Sequence, residues 1–296
     1  MLNFRRTELS DKEWVNDCLV HANSMNCEYT FGNMYIWTDA YNTKIANFKG
    51  FLICRWGTGD DISYSAPLGE GDFTEAVNMI IEDAKSLGVV PKIYGITTSY
   101  LLMLQEAFTG KFTYEYDDAL YDYIYLVEKM STLSGKKYHG KRNHITNFKK
   151  NYPDWKFEVI SKDNIPDCIA THKRWIDEKG ENEDYDIEFN ALKTAFDSYD
   201  ELGWCGGLIR AGGEVVAFCV GEPQANGKCF VTHFEKASAS IHGAYPIINQ
   251  EFTKNCLGDY TYVNREEDLG IEGLRKAKMS YNPEIILEKC VAIYND

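Results

Sequence analysis

The residues best suited to chemistry gather in the last third of the chain. His233 and Glu235 stand two apart in the strand-like run Cys229 to Glu235, so alternation puts both on one face. They form either a paired polar wall of a cleft, with Glu235 the better base, or a solvated edge beside a core histidine. Further on, Asn264-Arg265-Glu266-Glu267-Asp268-Leu269-Gly270 takes a strand end through a charged turn into a helix, and Tyr281 follows that helix. Glu267 and Asp268 would cap the helix, with Arg275, Lys276 and Lys278 at its favourable C-terminal end. The sharper reading places these carboxylates and Asn264 at the carboxyl end of a strand, where open α/β sheets hold ligands. There they would bind a cationic amine. Glu235 or Glu267 as base, directly or through water, and Tyr281 as acid to the leaving group are the parts that acyl transfer to an amine requires.

A second concentration of function-capable residues is electrostatic. Between Ser131 and Asn151 there are six cations, Lys136, Lys137, Lys141, Arg142, Lys149 and Lys150, and no acid. Residues 137–152 read as a helix with Tyr138, Ile145, Phe148 and Tyr152 on one stripe. Lys141 lies on that stripe, and Lys137, Lys141 and His144 share a face. This is either a solvated face with a snorkelling Lys141 or a phosphate-binding face to which Lys141 and Arg142 contribute.

These local cations sit in an acidic chain: net charge is −14 over 296 residues. Such a balance opposes global attraction of nucleic acid, so tRNA is a disfavoured partner and DNA is excluded. The nine cysteines are odd in number and scattered, with no C-x-x-C pair. They read as reduced, mostly buried thiols, and no metal site is expected. The longest apolar run, Val215 to Val220, is far short of a membrane span, and no signal-type segment opens the chain. No integral membrane association and a cytoplasmic location are therefore expected. Phosphate loops of the Walker type and Gly-x-Ser-x-Gly elbows are absent from the sequence, which argues against nucleotide and serine hydrolysis.

The elements that must hold these residues follow one order that occurs twice. In the second half, a strand Lys156 to Ile160 precedes helices at Pro166 to Glu178 and Ile187 to Leu202. Three strands follow, Trp204 to Arg210, Glu214 to Glu222 and Cys229 to Glu235, separated by Gly-rich hairpin turns. Then come a helix (Ala244 to Cys256), a strand (Tyr260 to Asn264), a helix (Ile271 to Met279) and a last strand (Ile285 to Ile293). The expected organisation is an N-terminal domain over 1–130, a linker helix over 131–153 and a site-bearing domain over 154–296. This order matches the GNAT acyltransferase fold, an α/β fold with a mixed sheet, here in tandem.

The segments Phe31-Gly32-Asn33-Met34-Tyr35-Ile36-Trp37, Lys141-Arg142-Asn143-His144 and Glu267 to Tyr281 resemble the signatures of a bacterial family. That family is related to the C-terminal domain of phosphatidylglycerol lysyltransferase and, more distantly, to the Fem-type aminoacyltransferases. The resemblance covers nearly the whole chain and implies tandem GNAT-like domains with the working groove in the second. In that fold the donor's pyrophosphate lies over the helix after the fourth strand, where free N–H groups favour an anion. The matching residues are His242, Gly243, Ala244 and Tyr245, although the Arg/Gln-x-x-Gly-x-Gly/Ala run is missing and a plain helix-capping loop is the alternative. Expected donors are thus acyl-CoA of the acetyl-CoA type or aminoacyl-tRNA, and the acceptor is a small-molecule or peptide amine. The competing expectation is a catalytically inactive ligand-binding protein of the same fold.

Overall fold

A computed structural model describes residues 2–180, 182–224 and 226–295. The chain forms two compact units. One comprises Met1–Asp122, Glu267–Glu272 and Ile286–Asp296, the other Tyr123–Glu266 and Gly273–Ile285.

The first unit is built on a sheet ordered Arg5–Arg6, Lys44–Phe48, Phe51–Trp56, Ser63–Ser65, Lys92–Ile96, Cys290–Tyr294 and Phe112–Tyr116, with Leu68–Gly69 paired to Phe51–Trp56. The helix Phe73–Ser86 buries Ala76, Val77, Ile80, Ile81 and Ala84, spaced for one helical face, and Asp72 caps it by accepting from the Glu75 amide at 2.9 Å. In the second unit the order is Ile285–Leu287, Asp122–Leu126, Tyr262–Asn264, Cys229–Ala237, Glu214–Pro223, Cys205–Ala211 and Lys156–Val159. Ser63–Ser65 pairs in parallel with Lys92–Ile96 in the first sheet, and Cys229–Ala237 with Tyr262–Asn264 in the second.

These sheets explain why the expected boundaries differ from the observed units. Strand Cys290–Tyr294 returns to the first sheet and pairs with Lys92–Ile96 and Phe112–Tyr116, while Asp122–Leu126 pairs with Tyr262–Asn264 in the second. The two halves of the chain exchange a strand, which cuts placed at single points along a sequence cannot express. The helix expected to bridge them is a one-turn 3-10 segment, Lys136–Tyr138, followed by His139–Asn151. Its apolar residues Tyr138, Ile145 and Phe148 join the core of the second unit instead, with Ile247, Ile248 and Phe252 of the helix Ala244–Cys256.

Strand Glu214–Pro223 is buried at every position but its two ends, as expected for a strand covered on both faces. On one side lies the helix Ile165–Lys179, where Thr171 and Arg174 both donate to the Val215 carbonyl at 2.9 Å. Its pairing with Cys229–Ala237 shifts register: Val220 faces Phe234 and Gly221 faces Thr232, which leaves His233 as the extra residue of a β-bulge. Gly221 is needed at this step, because a Cβ there would come 1.8 Å from the Val231 carbonyl oxygen. Gly221→Ala is expected to cost about 3 kcal/mol or more in urea unfolding. A cost within experimental error would show that the bulge yields and that His233 is not held by it.

Candidate active site

The parallel step is where the second sheet opens. Cys229–Ala237 and Tyr262–Asn264 pair only from Cys229 with Tyr262 to Val231 with Asn264. Past that point one strand runs on to Ala237 while the other chain turns away at Arg265 and Glu266, the latter at φ 58°. The flared gap is filled by side chains, and these define the site.

Glu235 reaches into the gap from its strand. It accepts two bonds from Arg265 Nη2 at 2.8 and 2.9 Å, one from Arg265 Nε at 3.2 Å and one from Asn249 Nδ2 at 2.9 Å. Arg265 therefore spends one edge of its guanidinium on Glu235, while its buried Nη1 has no hydrogen-bond partner. The guanidinium lies over the Tyr281 ring at 4.9 Å and the Tyr125 ring at 5.6 Å. Tyr281 is 3% exposed, and its hydroxyl too has no partner. Burial pushes that hydroxyl well above its ordinary range, so it stays protonated and can donate.

Lys141 covers the other part of this cluster, with Nζ 3.9 Å from the Tyr281 ring centroid. Burial first, and then the Arg265 charge, lower its ammonium to about 8 against the opposing pull of Glu235. The helix stripe on which Lys141 was expected thus leads into the gap. Arg142, by contrast, turns to the main chain and donates through Nη1 to the carbonyls of Leu133 and Gly135. It ties a turn together and is not available to a ligand in this conformation.

His233, the bulged residue, is clamped between carboxylates. Its Nε2 lies 2.9 Å from Glu222 and its Nδ1 2.7 Å from Glu266, while the ring stacks on Trp204 at 4.9 Å. Burial alone would lower the imidazolium, but its hydrogen bonds to Glu222 and Glu266 raise it to about 9. With an acceptor on each ring nitrogen, His233 is a charged structural pin that fixes the turn after Arg265. Asn264, fully buried, works on the same turn: its Oδ1 accepts from the Glu266 amide at 2.7 Å.

The loop expected to receive donor phosphate is partly occupied by the protein itself. The Glu178 carboxylate accepts from the Ala239 amide at 3.2 Å and from the Ser238 hydroxyl at 3.1 Å. Gly243 caps the helix Ala244–Cys256 at φ 88°, and a Cβ there would meet the His144 carbonyl at 2.6 Å. The glycine thus serves helix packing. The Ala244 amide is bonded to the Ile241 carbonyl at 3.2 Å. His242 meets His144 ring to ring, with Nε2 and Nδ1 2.7 Å apart. The Tyr245 hydroxyl is pushed up to about 12 by burial and by Glu235.

Glu267 and Asp268 are not part of this gap and belong to the first unit. Asp268 is fully buried and accepts from the Gly270 amide at 2.8 Å. It closes a turn ahead of the helix Glu272–Met279. Glu267 contacts the buried ammonium of Lys289, which also donates to Asp122 at 2.9 Å. Burial, and the nearby Glu28 and Asp122, raise Glu267 to about 8 despite Lys289. Cys27, Asp122 and Glu267 bring ligand atoms within 4.8 Å of one another, but the Lys289 ammonium occupies their midst and supplies the cation.

The second unit, a mixed sheet flanked by helices and split at its parallel step, has a GNAT-like fold. The chain belongs to the family described as phosphatidylglycerol lysyltransferase, C-terminal, whose model matches residues 21–293. A conserved protein of unknown function from Bacteroides thetaiotaomicron, known from a crystal structure, is 36% identical with a TM-score of 0.95 over 100% of both chains. The C-terminal domain of a protein named a lysylphosphatidylglycerol synthetase, from Agrobacterium fabrum, shares the fold at TM-score 0.68 and 14% identity, over 97% of this chain and 92% of that one. A tandem GNAT protein from the clavulanic acid biosynthesis pathway does so at TM-score 0.52 and 7% identity, over 100% and 99%. A Mycoplasmoides gallisepticum protein is 24% identical over 57% of this chain, and the match spans 54%, about half, of that protein's length. No helix among the described residues is long and apolar enough to cross a membrane.

Arg265, Glu266, Asn249, Tyr125, Glu222 and Glu178 make contacts in and around the gap and the donor loop to which sequence reasoning assigned no role. Arg265 alone carried a signal, a cation immediately after a buried strand end. The charge on His233 stabilises the fold fully below its ordinary value near 6.5, and that contribution is lost as pH rises through about 9. The thermal midpoint should therefore fall more steeply between about pH 7 and about pH 9.5 in the native chain than in His233→Asn. Parallel pH profiles would refute a charged His233.

Proposed function

We propose that the chain is an acyl-group N-transferase. It would move an acyl or aminoacyl group from a phosphate-bearing carrier, acyl-CoA or aminoacyl-tRNA, to a small-molecule or peptide amine, in the gap of the second unit. The observation that carries this reading is the pair of unsatisfied buried donors, Arg265 Nη1 and the Tyr281 hydroxyl, beside a lysine lowered to about 8. Donors held dry and without an acceptor are what a developing oxyanion requires. The family supports a lysyl-type aminoacyl group as one candidate cargo.

Each residue then has a defined task. The acceptor nitrogen attacks the carbonyl carbon and gives its proton to neutral Lys141, directly or through water, while Arg265 and Tyr281 hold the oxygen that becomes negative. As the bond to the carrier's sulfur or oxygen breaks, Tyr281 supplies the proton that the leaving atom takes, and the Lys141 ammonium restores it. Glu235 is bonded on all sides by Arg265 and Asn249, so it aims the guanidinium and is not the base. A pyrophosphate does not fit the loop Ala237 to Gly243 as it stands, because Glu178 already holds the Ala239 amide and the Ser238 hydroxyl. His242 with the Gly243 and Tyr245 amides is what remains for one phosphate group, and no step is routed through it.

The closed hydrogen bonding of Glu235 favours a second reading, in which the same donors hold a carbonyl ligand without turnover. Calorimetry with acetyl-CoA, longer acyl-CoAs and charged tRNA, followed by product analysis with amines, separates the two. Saturable binding with product supports transfer, binding without product supports the second reading, and no binding defeats both.

Two variants sharpen the assignment. Tyr281→Phe removes a hydroxyl that has no partner, so it should leave the melting temperature unchanged or raise it, while kcat falls on the order of 100-fold. A destabilised variant of full activity would contradict the role. With Lys141 as base, kcat/KM should rise with pH through about 8, and Lys141→Ala should lose that limb along with most of the rate. A limb that survives the substitution belongs to another group.

A further inference from the structure

Of the nine cysteines, seven are buried, and the other two, Cys205 and Cys256, are each half-buried. Those two are brought together by the packing of one helix on one strand. Cys205 opens the strand Cys205–Ala211 and Cys256 ends the helix Ala244–Cys256. Gly207, two residues along the strand and therefore on the same face as Cys205, meets Phe252, with a Cβ on Gly207 coming 3.1 Å from the Phe252 ring. Phe252 is four residues before Cys256, so it shares that residue's helical face. The two same-face pairs run side by side, Gly207 against Phe252 and Cys205 against Cys256. The missing side chain at Gly207 leaves room for Phe157 and Phe252 on this face, and the Cys256 thiol hydrogen-bonds Cys205.

We propose that Cys205 and Cys256 form a modification site that reacts with low-molecular-weight disulfides and closes to a reversible intramolecular disulfide. Cys205 is the attacking sulfur. A hydrogen bond from the Cys256 thiol lowers Cys205 against the opposing effect of burial, and Cys256 is raised by the same bond. The Cys205 thiolate attacks one sulfur of the external disulfide, forms a mixed disulfide and expels one thiolate. Cys256 then gives up its proton and attacks the Cys205 sulfur, releasing the second thiol. Two protein thiols are oxidised and one external disulfide is reduced to two thiols, so electrons and protons balance. The closed bond would clamp the C-terminal end of the helix whose first turn lies beside Glu235. This inference does not depend on the transferase reading.

The test is treatment of the full-length native chain with oxidised glutathione, followed by digestion without reductant and mass spectrometry. The expected product joins the Cys205 and Cys256 peptides with no retained glutathione and is fully reversed by reductant, while the seven buried cysteines stay free. Cys256→Ser should trap glutathione on Cys205, and Cys205→Ser should yield no crosslinked peptide. A stable glutathione adduct on the native chain, or an inert Cys205, would overturn the proposal. Faster reaction of any buried cysteine would overturn it as well.

Discussion

The constraint on which the second unit turns is the guanidinium of Arg265 held where a mixed sheet splits. A parallel strand pair that separates after three residue pairs leaves Glu235 without a strand neighbour on that side, side chains fill the gap, and a charge buried there loses most of its hydration. Burying a guanidinium is costly unless geometry and partners are supplied. Glu235 supplies the counter-charge, Asn249 holds Glu235, and the rings of Tyr125 and Tyr281 cover the planar cation. That arrangement fixes the surrounding chemistry. Burial first, and then the same positive charge, keep the Lys141 ammonium low, and the ring that the guanidinium covers carries the unpaired hydroxyl.

Several separate segments converge on this cluster, and each is held by a backbone anchor beside its functional side chain. The Tyr281 carbonyl accepts from Tyr138 at 2.9 Å, the Lys278 carbonyl accepts from Tyr125 at 2.9 Å, and Lys278 Nζ donates to the Arg265 carbonyl at 2.6 Å. His233, bulged from its strand, pins Glu266 from the other side. Side chains meant to meet a ligand within a few tenths of an ångström need such support, since loops alone do not hold geometry of that quality. The exchanged strand Asp122–Leu126 matters for the same reason, because it brings Tyr125 under Arg265.

Much of this was legible in the residues. The helix Ala244–Cys256 and the hairpin strands around Gly212 and Gly227 have strong periodicity and clear punctuation, and they lie where patterning puts them. Tyr281 and Lys141 stood out as candidates through position and stripe. The failures have physical causes. Glu267 and Asp268 read as an acidic acceptor site because sequence shows charge but not the Lys289 ammonium, which arrives from over twenty positions away. Arg142 and Lys141 are adjacent and look equivalent, yet a helix points them in different directions, one to carbonyls and one to an aromatic face. The domain cuts missed the exchanged strands because local pattern states that a segment is a strand and not which sheet it joins.

Unsatisfied buried polar atoms argue for function only where they occur together. Thr7, His172 and Trp204 also carry buried polar atoms without hydrogen bonds. His172 sits between Trp175 and Phe189, lowered to about 3 by burial, as an uncharged part of an aromatic layer. A buried polar group left without a hydrogen bond costs about 1–3 kcal/mol. Arg265 and Tyr281 differ in kind. Two donors lacking acceptors lie in one packed contact, one of them charged, with a depressed lysine against the same ring. Stability alone would favour phenylalanine at 281 and a bound acceptor for Nη1. On the proposed reading, two donors left unpaired beside the point where the strands part are kept for an oxygen that the protein does not itself provide.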